Sequence, residues 1–334
     1  MEFTAGGRFE VRMTRADVGK RVSVRQLTEN GGPAEKFTDT VGVLTSWDDG
    51  VLLITRRTGE SVRVPESSLV AGKVVPPAPA RRRGPSATYR ELALVGARAW
   101  QPVESEPLGA WRLRASAGFT RRANSVLSLG DGPGAGLPLD EALERVRRWY
   151  GERGLPPYVQ TATGAEGTQE TLCADLEKRG WSAEVSAEMR IAALAPLGDR
   201  DADVERVRLD RTCDEAWLGR YQRSEAPGPH VLHVLNSGPS VWFATVPGEA
   251  GAPAAIGRCV VDGRWAGFMA VEVDPAHRRR GLATAVMTAL ARRALEEGAS
   301  AAWLQVESRN DGARALYEGM GFAVHHHYHH YRPA

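Results

Sequence analysis

The chain has 334 residues, a formal net charge of +2, and 42% hydrophobic against 25% charged residues. That length leaves room for two or three domains with real cores, and so small a charge gives no argument for nucleic acid or an anionic membrane as partner. Three scattered cysteines (Cys173, Cys213, Cys259) exclude a disulfide framework or zinc knuckle, and neither a signal peptide at Met1–Gly7 nor an apolar run of membrane-spanning length is present, so a cytoplasmic protein is expected.

The first 75 residues read as a small all-β unit. Short β-branched runs recur at Arg21–Arg25, Thr40–Leu44, Val51–Thr55 and Ser61–Val64. Turn signals separate them: Asn30-Gly31-Gly32-Pro33, Asp48-Asp49-Gly50 and Thr58-Gly59-Glu60. Strands on this spacing suit an SH3-like small barrel, which either binds a peptide or nucleic acid or serves as a structural docking module. Residues 76–86 follow, Pro- and Arg-rich, and read as a semi-rigid linker.

From there helical and strand patterns alternate, the mark of an α/β unit with a mixed sheet. The series also repeats. Leu139 to Arg153 is helix-like, then come Gly154, strand-like Tyr158-Val159-Gln160, a short helix Leu172–Lys178 and Gly180-Trp181. Leu282 to Glu297, Gly298, Trp303–Val306, a helix at Ala313–Glu318 and Gly321-Phe322 repeat the order, about 140–145 residues on. The expected division is therefore 87–198 for one half and 199–334 for the other.

The chemistry concentrates in the later half. A strand Met269–Val273 ends at Asp274-Pro275, because proline cannot extend a ladder. A basic loop, His277-Arg278-Arg279-Arg280-Gly281, leads into a helix whose apolar side runs Leu282, Val286, Leu290, Ala294. The free N–H groups and dipole of a helix start make such a junction an anion site, and a diphosphate is its natural ligand.

Arg278-x-x-Gly281-x-Ala283 after this strand resembles the acyl-CoA signature of the GNAT N-acetyltransferase superfamily. Asn310-Asp311-Gly312-Ala313-Arg314-Ala315-Leu316-Tyr317, followed by Gly321-Phe322, is similar to a second segment of the same superfamily. The resemblance covers residues 200–334 well and 86–195 in outline. It implies acetyl-CoA as co-substrate and direct attack by an amine, a small molecule or a protein group.

Several residue roles are implied by that resemblance. Main-chain groups of Val271 and Val273 would pair with the pantetheine arm, on a splayed strand Phe268–Val273. Arg278 belongs to the signature, and the amides of Arg279, Arg280, Gly281, Leu282, Ala283 and Thr284 would hold the diphosphate. Asn310 would contact the pantetheine or acyl end, and Tyr317 would protonate the departing thiolate, as a phenol of pKa near 10 can at neutral pH.

The base is where the pattern departs: many members place Glu or His at a position that here falls near Gly267. Glu272 is the choice, with Glu307 the other carboxylate. The earlier half lacks the apparatus, with no arginine in its glycine-rich stretch 130–136 and Leu176 at the register of Tyr317. It reads as a degenerate half covering the substrate site.

Two histidine groups complete the reading. His325 to Tyr331 is either a native last strand, a metal-binding tract or a tag, and the strand is preferred. In the loop-like Ala226–His233, His230 and His233 are either candidates for the acceptor pocket or plain loop histidines, and the second is preferred. The rival to catalysis is an acyl-CoA-binding sensor or scaffold with the first unit docking a partner.

Overall fold

A computed structural model describes residues 10–28, 37–76, 84–134, 136–221 and 228–334. Most of the linker expected at 76–86, the Asn30–Pro33 turn and part of the Ala226–His233 segment lie outside the described residues.

The first sheet contains β1 (Val11–Arg12), β2 (Arg21–Leu27), β3 (Phe37–Asp48), β4 (Val51–Thr55), β5 (Ser61–Pro65) and β6 (Leu69–Val74), in the order β1-β6-β2-β3-β4-β5. Period-two alternation drives Val22 and Val24 of β2 and Leu52 and Ile54 of β4 into one core with Met13, Leu44, Trp47 and Val64. Asp49 (φ 49°) and Gly50 (φ 72°) form the two-residue turn between β3 and β4. Positive φ at both positions matches the twist of the flanking strands. The result is a small barrel-like part.

The remaining strands build one mixed sheet. The earlier half supplies α1 (Tyr89–Ala99), β7 (Glu104–Leu108), β8 (Trp111–Ala115), β9 (Val126–Leu127), α2 (Leu139–Gly151), β10 (Val159–Thr163), α3 (Glu170–Lys178) and β11 (Trp181–Ala193). α4 (Ala195–Gly198) closes that half, and the later half supplies β12 (Arg208–Asp210), α5 (Glu215–Arg220), α6 (Pro229–Leu235), β13 (Ser240–Val246), β14 (Ala255–Asp262) and β15 (Trp265–Val273). It closes with α7 (Leu282–Glu296), β16 (Ala301–Glu307), α8 (Asp311–Gly319) and β17 (Ala323–Pro333). The tandem α/β fold expected from the sequence is present. No helix among the described residues is long and apolar enough to cross a membrane.

Strand order is β12-β13-β14-β15-β16-β11-β17-β10-β9-β8-β7. Each half keeps one parallel pair, β15 with β16 and β9 with β10, joined through α7 and α2. The last strands are exchanged. β11 leaves its own half to pair with β16, from Ala187↔Glu307 to Ala193↔Ala301. In return β17 pairs with β10, from Val159↔Tyr331 to Thr163↔His327. The two visitors pair with each other at the centre. A division between 198 and 199 thus follows the chain but cuts across the sheet.

Helices cover both faces. Val286, Leu290 and Ala294 of α7 pack with Phe268, Leu304 and Phe322 on one side. Leu92 and Val95 of α1, Trp217 of α5 and Val231 and Val234 of α6 pack with Met269 and Trp303 on the other. The buried Arg258 guanidinium donates to the carbonyls of Ala99 (3.0 Å), Leu235 (2.6 Å) and Ser237 (2.6 Å) and also contacts the Met269 sulfur. Its charge meets the negative ends of α1 and α6, which fixes both helices over the floor of the cleft. Burial pulls this guanidinium down to about 10.

The histidine-rich tract is the strand β17, with His326, His329 and His330 buried. His329 lies between Thr163 Oγ1 (2.9 Å) and Ser186 Oγ (2.8 Å). A Cβ on Gly59 would strike its ring, so the Gly59 turn of the first sheet closes over it. Arg57 of that turn donates to the carbonyls of Val324 (3.0 Å) and His325 (3.1 Å), fastening the barrel-like part to the exchanged strand.

Candidate active site

Parallel pairing between β15 and β16 runs from Trp265↔Ala301 to Phe268↔Leu304 and then stops, although both strands continue. They diverge around a cleft of about 540 Å³. Ala270 (φ 52°) marks the divergence, opposite a register shift between Ile256 and Arg258 on β14. A left-handed alanine costs about 1–2 kcal/mol, and a bulge here bends the strand and re-aims the residues beyond it.

The bulge changes faces. Met269 and Ala270 both pack on the α1/α6 side, while Val271 and Val273 pack on the α7 side. Alternation then sets Glu272 on the α1 side, and its side chain lines the cleft. The backbone is re-aimed as well. Asp274 N–H donates to Ala254 O (2.9 Å), toward β14. The N–H and C=O of Val271 and Val273 therefore face the other edge, where no β16 residue pairs with them. Such an edge is a template for an extended, amide-bearing ligand.

The basic loop adjoins this edge. Asp274 caps its start by accepting from Ala276 N–H (2.8 Å), and that bond together with Arg220 holds its carboxyl below the usual range. Arg279 (φ 62°) and Gly281 (φ 76°) are left-handed, and Gly281 is the N-cap of α7. The first helical bond is Ala285 N–H to Gly281 O (2.9 Å). Among the described residues the N–H groups of Leu282, Ala283 and Thr284 have no partner. A Cβ at Gly281 would meet nothing, so the dihedral rather than crowding selects glycine. Arg278, Arg279 and Arg280 are exposed, and Arg278 reaches the cleft wall.

Tyr317 is half-buried on α8 and lines the cleft, edge-on to Phe322 at 6.0 Å between ring centres. Asn310 caps α8 by accepting from Ala313 N–H (3.1 Å) and lines the same cleft. Glu307, at the end of β16, is a further lining carboxylate. Gly267 has no room for a side chain, because a Cβ there would collide with the Trp303 indole. Trp303 therefore occupies the space that a glutamate at this position would need.

Four lining residues escaped the sequence reading: Trp100, Arg122, Arg220 and Tyr221. Arg220 pairs with Asp274 and donates to Pro253 O (2.9 Å), tying α5 to the loop. Trp100 and Arg122 come from the earlier half and reach the cleft only through the tertiary fold, so no local spacing announces them. His230 and His233 stand on helix α6, begun by Pro229, and are not among the cleft-lining residues. The loop expected there is a helix because Val231, Val234 and Leu235 bury its inner face.

The equivalent opening of the earlier half is filled. Gln169, before α3, holds the place that Asn310 holds before α8. Its buried amide donates to Ser128 Oγ (2.7 Å) and Gly130 O (3.0 Å) and accepts from Ala162 N–H (2.9 Å) and Tyr89 OH (2.8 Å). The side chain thus ties β10 to the segment after β9 and to α1 and closes the space between them. Leu176 is fully buried, leaving no phenol. Among the described residues, no group of three or more metal-ligating side chains is assembled.

A splayed parallel pair, a bulged strand with a free edge and a glycine-capped helix define the GNAT N-acetyltransferase superfamily, and the protein is an enzyme of that class. Residues 86–331 match the family model described as "Probable histone acetyltransferase Rv0428c C-terminal", and the chain belongs to that family.

It is 27% identical over 316 residues to "Probable histone acetyltransferase Rv0428c" of Mycobacterium tuberculosis, covering 93% of each chain. It is 26% identical over 250 residues to "Uncharacterized N-acetyltransferase YobR" of Bacillus subtilis, covering 72% of this chain and 97% of that one. A GCN5-related N-acetyltransferase structure from Kribbella flavida shares the fold with a TM-score of 0.53 at 17% identity, covering 73% of this chain and 95% of that one.

Proposed function

We propose that the protein transfers an acetyl group from acetyl-CoA to an amine by direct attack within a ternary complex. The observation that carries this reading is the unpaired edge of Val271 and Val273 beside the open amides at the start of α7. The pantetheine amides would extend the sheet at that edge. The diphosphate would sit on the amides from Arg279 to Thr284, where helix dipole and arginine charge favour it. Asn310 would orient the pantetheine from its cap position.

Binding both reactants in one cleft supplies proximity. A strand N–H at Val271 or Val273 would meet the developing oxyanion. Glu272, set on the acceptor face by the Ala270 bulge, would take the proton the amine loses as its nitrogen bonds the acetyl carbon. Tyr317 would give its proton to the sulfur as the thioester bond breaks. Glu307 lies on the same face and would serve a proton relay.

The relative from M. tuberculosis carries a name that points to a protein amine, and the walls supplied by the earlier half favour a small acceptor, so the two classes are tested together. Calorimetry of acetyl-CoA with the full chain should give binding in the micromolar range, roughly −8 kcal/mol. Amine-dependent thiol release should then be observed. Absence of acetyl-CoA binding would refute the proposal.

A further inference from the structure

The cleft continues past the splay. A second cavity of about 350 Å³ opens beside it, and the two share Arg122 and Glu307 in their walls. The exchanged strands form its floor, with Ala187 of β11 and Tyr328 and His330 of β17. Loops of the earlier half around Arg121 and Tyr158 form its wall. Glu307, Ala187 and Tyr328 stand side by side on three adjacent strands, and Val185↔His330 is the pair two residues further along. Strand spacing and rise place Glu307 and His330 about 12 Å apart.

The far end is rich in unmet hydrogen-bonding capacity. His330 is 3% exposed, and neither ring nitrogen has a partner among the described residues. Tyr158 and Tyr328 approach it edge-on, at 6.2 and 5.7 Å between ring centres. Arg121 pairs with Glu184 at 2.6 Å, yet its Nε is buried without a partner. Arg122 donates to the Tyr328 hydroxyl (2.8 Å), lies over the Trp100 ring at 5.8 Å, and has no carboxylate partner among the described residues. Buried groups left so, Arg121 Nε and the two His330 nitrogens, are costly unless something fills the space.

Charge is also ordered along the groove. Glu272 lines only the cleft, Glu307 and Arg122 line both compartments, and Arg121 and His330 line only the far one. Glu272 therefore stands at the end where the amine must react, and the far end offers the Arg121 guanidinium and the two open ring nitrogens of a neutral His330, with Glu307 and Arg122 between them. We infer that the second cavity is the recognition end of the acceptor site, and that the acceptor is a small amine bearing an anionic group, carboxylate or phosphate, about 10 Å from its nitrogen. The inference rests on reading the cleft as the acetyl-transfer site. A long basic peptide would bring like charge to Arg121 and Arg122.

The test is steady-state thiol release by the full chain at saturating acetyl-CoA. The acceptors are ω-aminoalkanoates, ω-aminoalkyl phosphates, their matching ω-amino amides and diamines, and a lysine peptide rich in basic residues. Anionic acceptors should exceed amides of the same length in kcat/KM by about tenfold or more, with an optimum at one chain length. The relative rates of carboxylate and phosphate identify the anion.

Arg122→Gln and His330→Gln, each checked for a wild-type-like thermal transition, should pull that ratio toward one through KM for the anionic acceptors. Should His330→Gln fail to fold, Arg122→Gln carries the comparison. Equal or better turnover of amides, diamines or the peptide, with acetyl-CoA still binding, overturns this inference alone and leaves the cavity as a water-filled space. Loss of acetyl-CoA binding itself would instead overturn the underlying reading.

Discussion

Acidification should unfold this protein through its last strand. Burial lowers His329 to about 4 from an ordinary value of 6.5, while Thr163 and Ser186 hold the ring. The unfolded chain takes up this proton first, so the contribution is complete above about pH 6.5, falls as the pH drops, and levels off below about 4. At 1.36 kcal/mol per pH unit the full span is about 3 kcal/mol, of which about 2 kcal/mol is lost between pH 7 and 5. His326 and His330 are pushed well down by burial too and act in the same direction.

Urea unfolding followed by tryptophan fluorescence at several pH values measures the slope. His329→Gln should flatten it by about 2 kcal/mol over pH 7 to 5, whatever the variant's stability at neutral pH. Identical slopes in the two proteins would refute the assignment of a buried neutral imidazole at this position.

Four further outcomes are expected. Tyr317→Phe should lower kcat by about 100-fold with acetyl-CoA affinity retained in calorimetry, and unchanged turnover removes the phenol from the mechanism. Gly281→Val forces a β-branched residue into a left-handed cap, costs at least about 1–2 kcal/mol, and should weaken acetyl-CoA binding tenfold or more; normal affinity would sink the diphosphate assignment. Gln169→Ala takes the side-chain partner from the buried Ala162 N–H and from Gly130 O, while Tyr89 and Ser128 keep bonds to Ser128 O and Gln160 O, and should destabilise by about 1–3 kcal/mol, with acetyl-CoA stoichiometry still one per chain by calorimetry. Residues 200–334 alone should give no cooperative thermal transition, whereas residues 1–198 and 199–334 produced together should recover acetyl-CoA binding, because β11 and β17 must both be present.

The features legible in the sequence were local ones. The loop from Asp274 to Thr284 and the α8 segment show themselves because their chemistry lies in consecutive residues, as does the Asp49-Gly50 turn. The period of the β2 and β4 residues likewise announces a half-buried sheet. The Ala270 bulge stays hidden, since alternation carries no mark of a skipped residue and alanine is not a usual left-handed residue. With the bulge unknown, the face taken by Glu272 was undecidable. The departure at Gly267 was visible, but its cause was not, because Trp303 meets it only across the sheet. Strand exchange was out of reach for a related reason. Both halves carry the same order of elements, and nothing in a strand's own residues states which half's edge it will join.

The exchange also sets a schedule for synthesis. β10 stands next to β17 in the finished sheet, and more than half of the second unit's residues separate them along the chain. An emerging chain therefore presents the inner edge of β10 unpaired until residues 323–333 have left the ribosome. Pairings of such sequence separation form slowly and leave edges exposed to other chains meanwhile. Recovery of folded protein should thus depend most on events at the very end of translation. A substitution in β17 that leaves the cleft untouched is placed to cost yield before it costs activity.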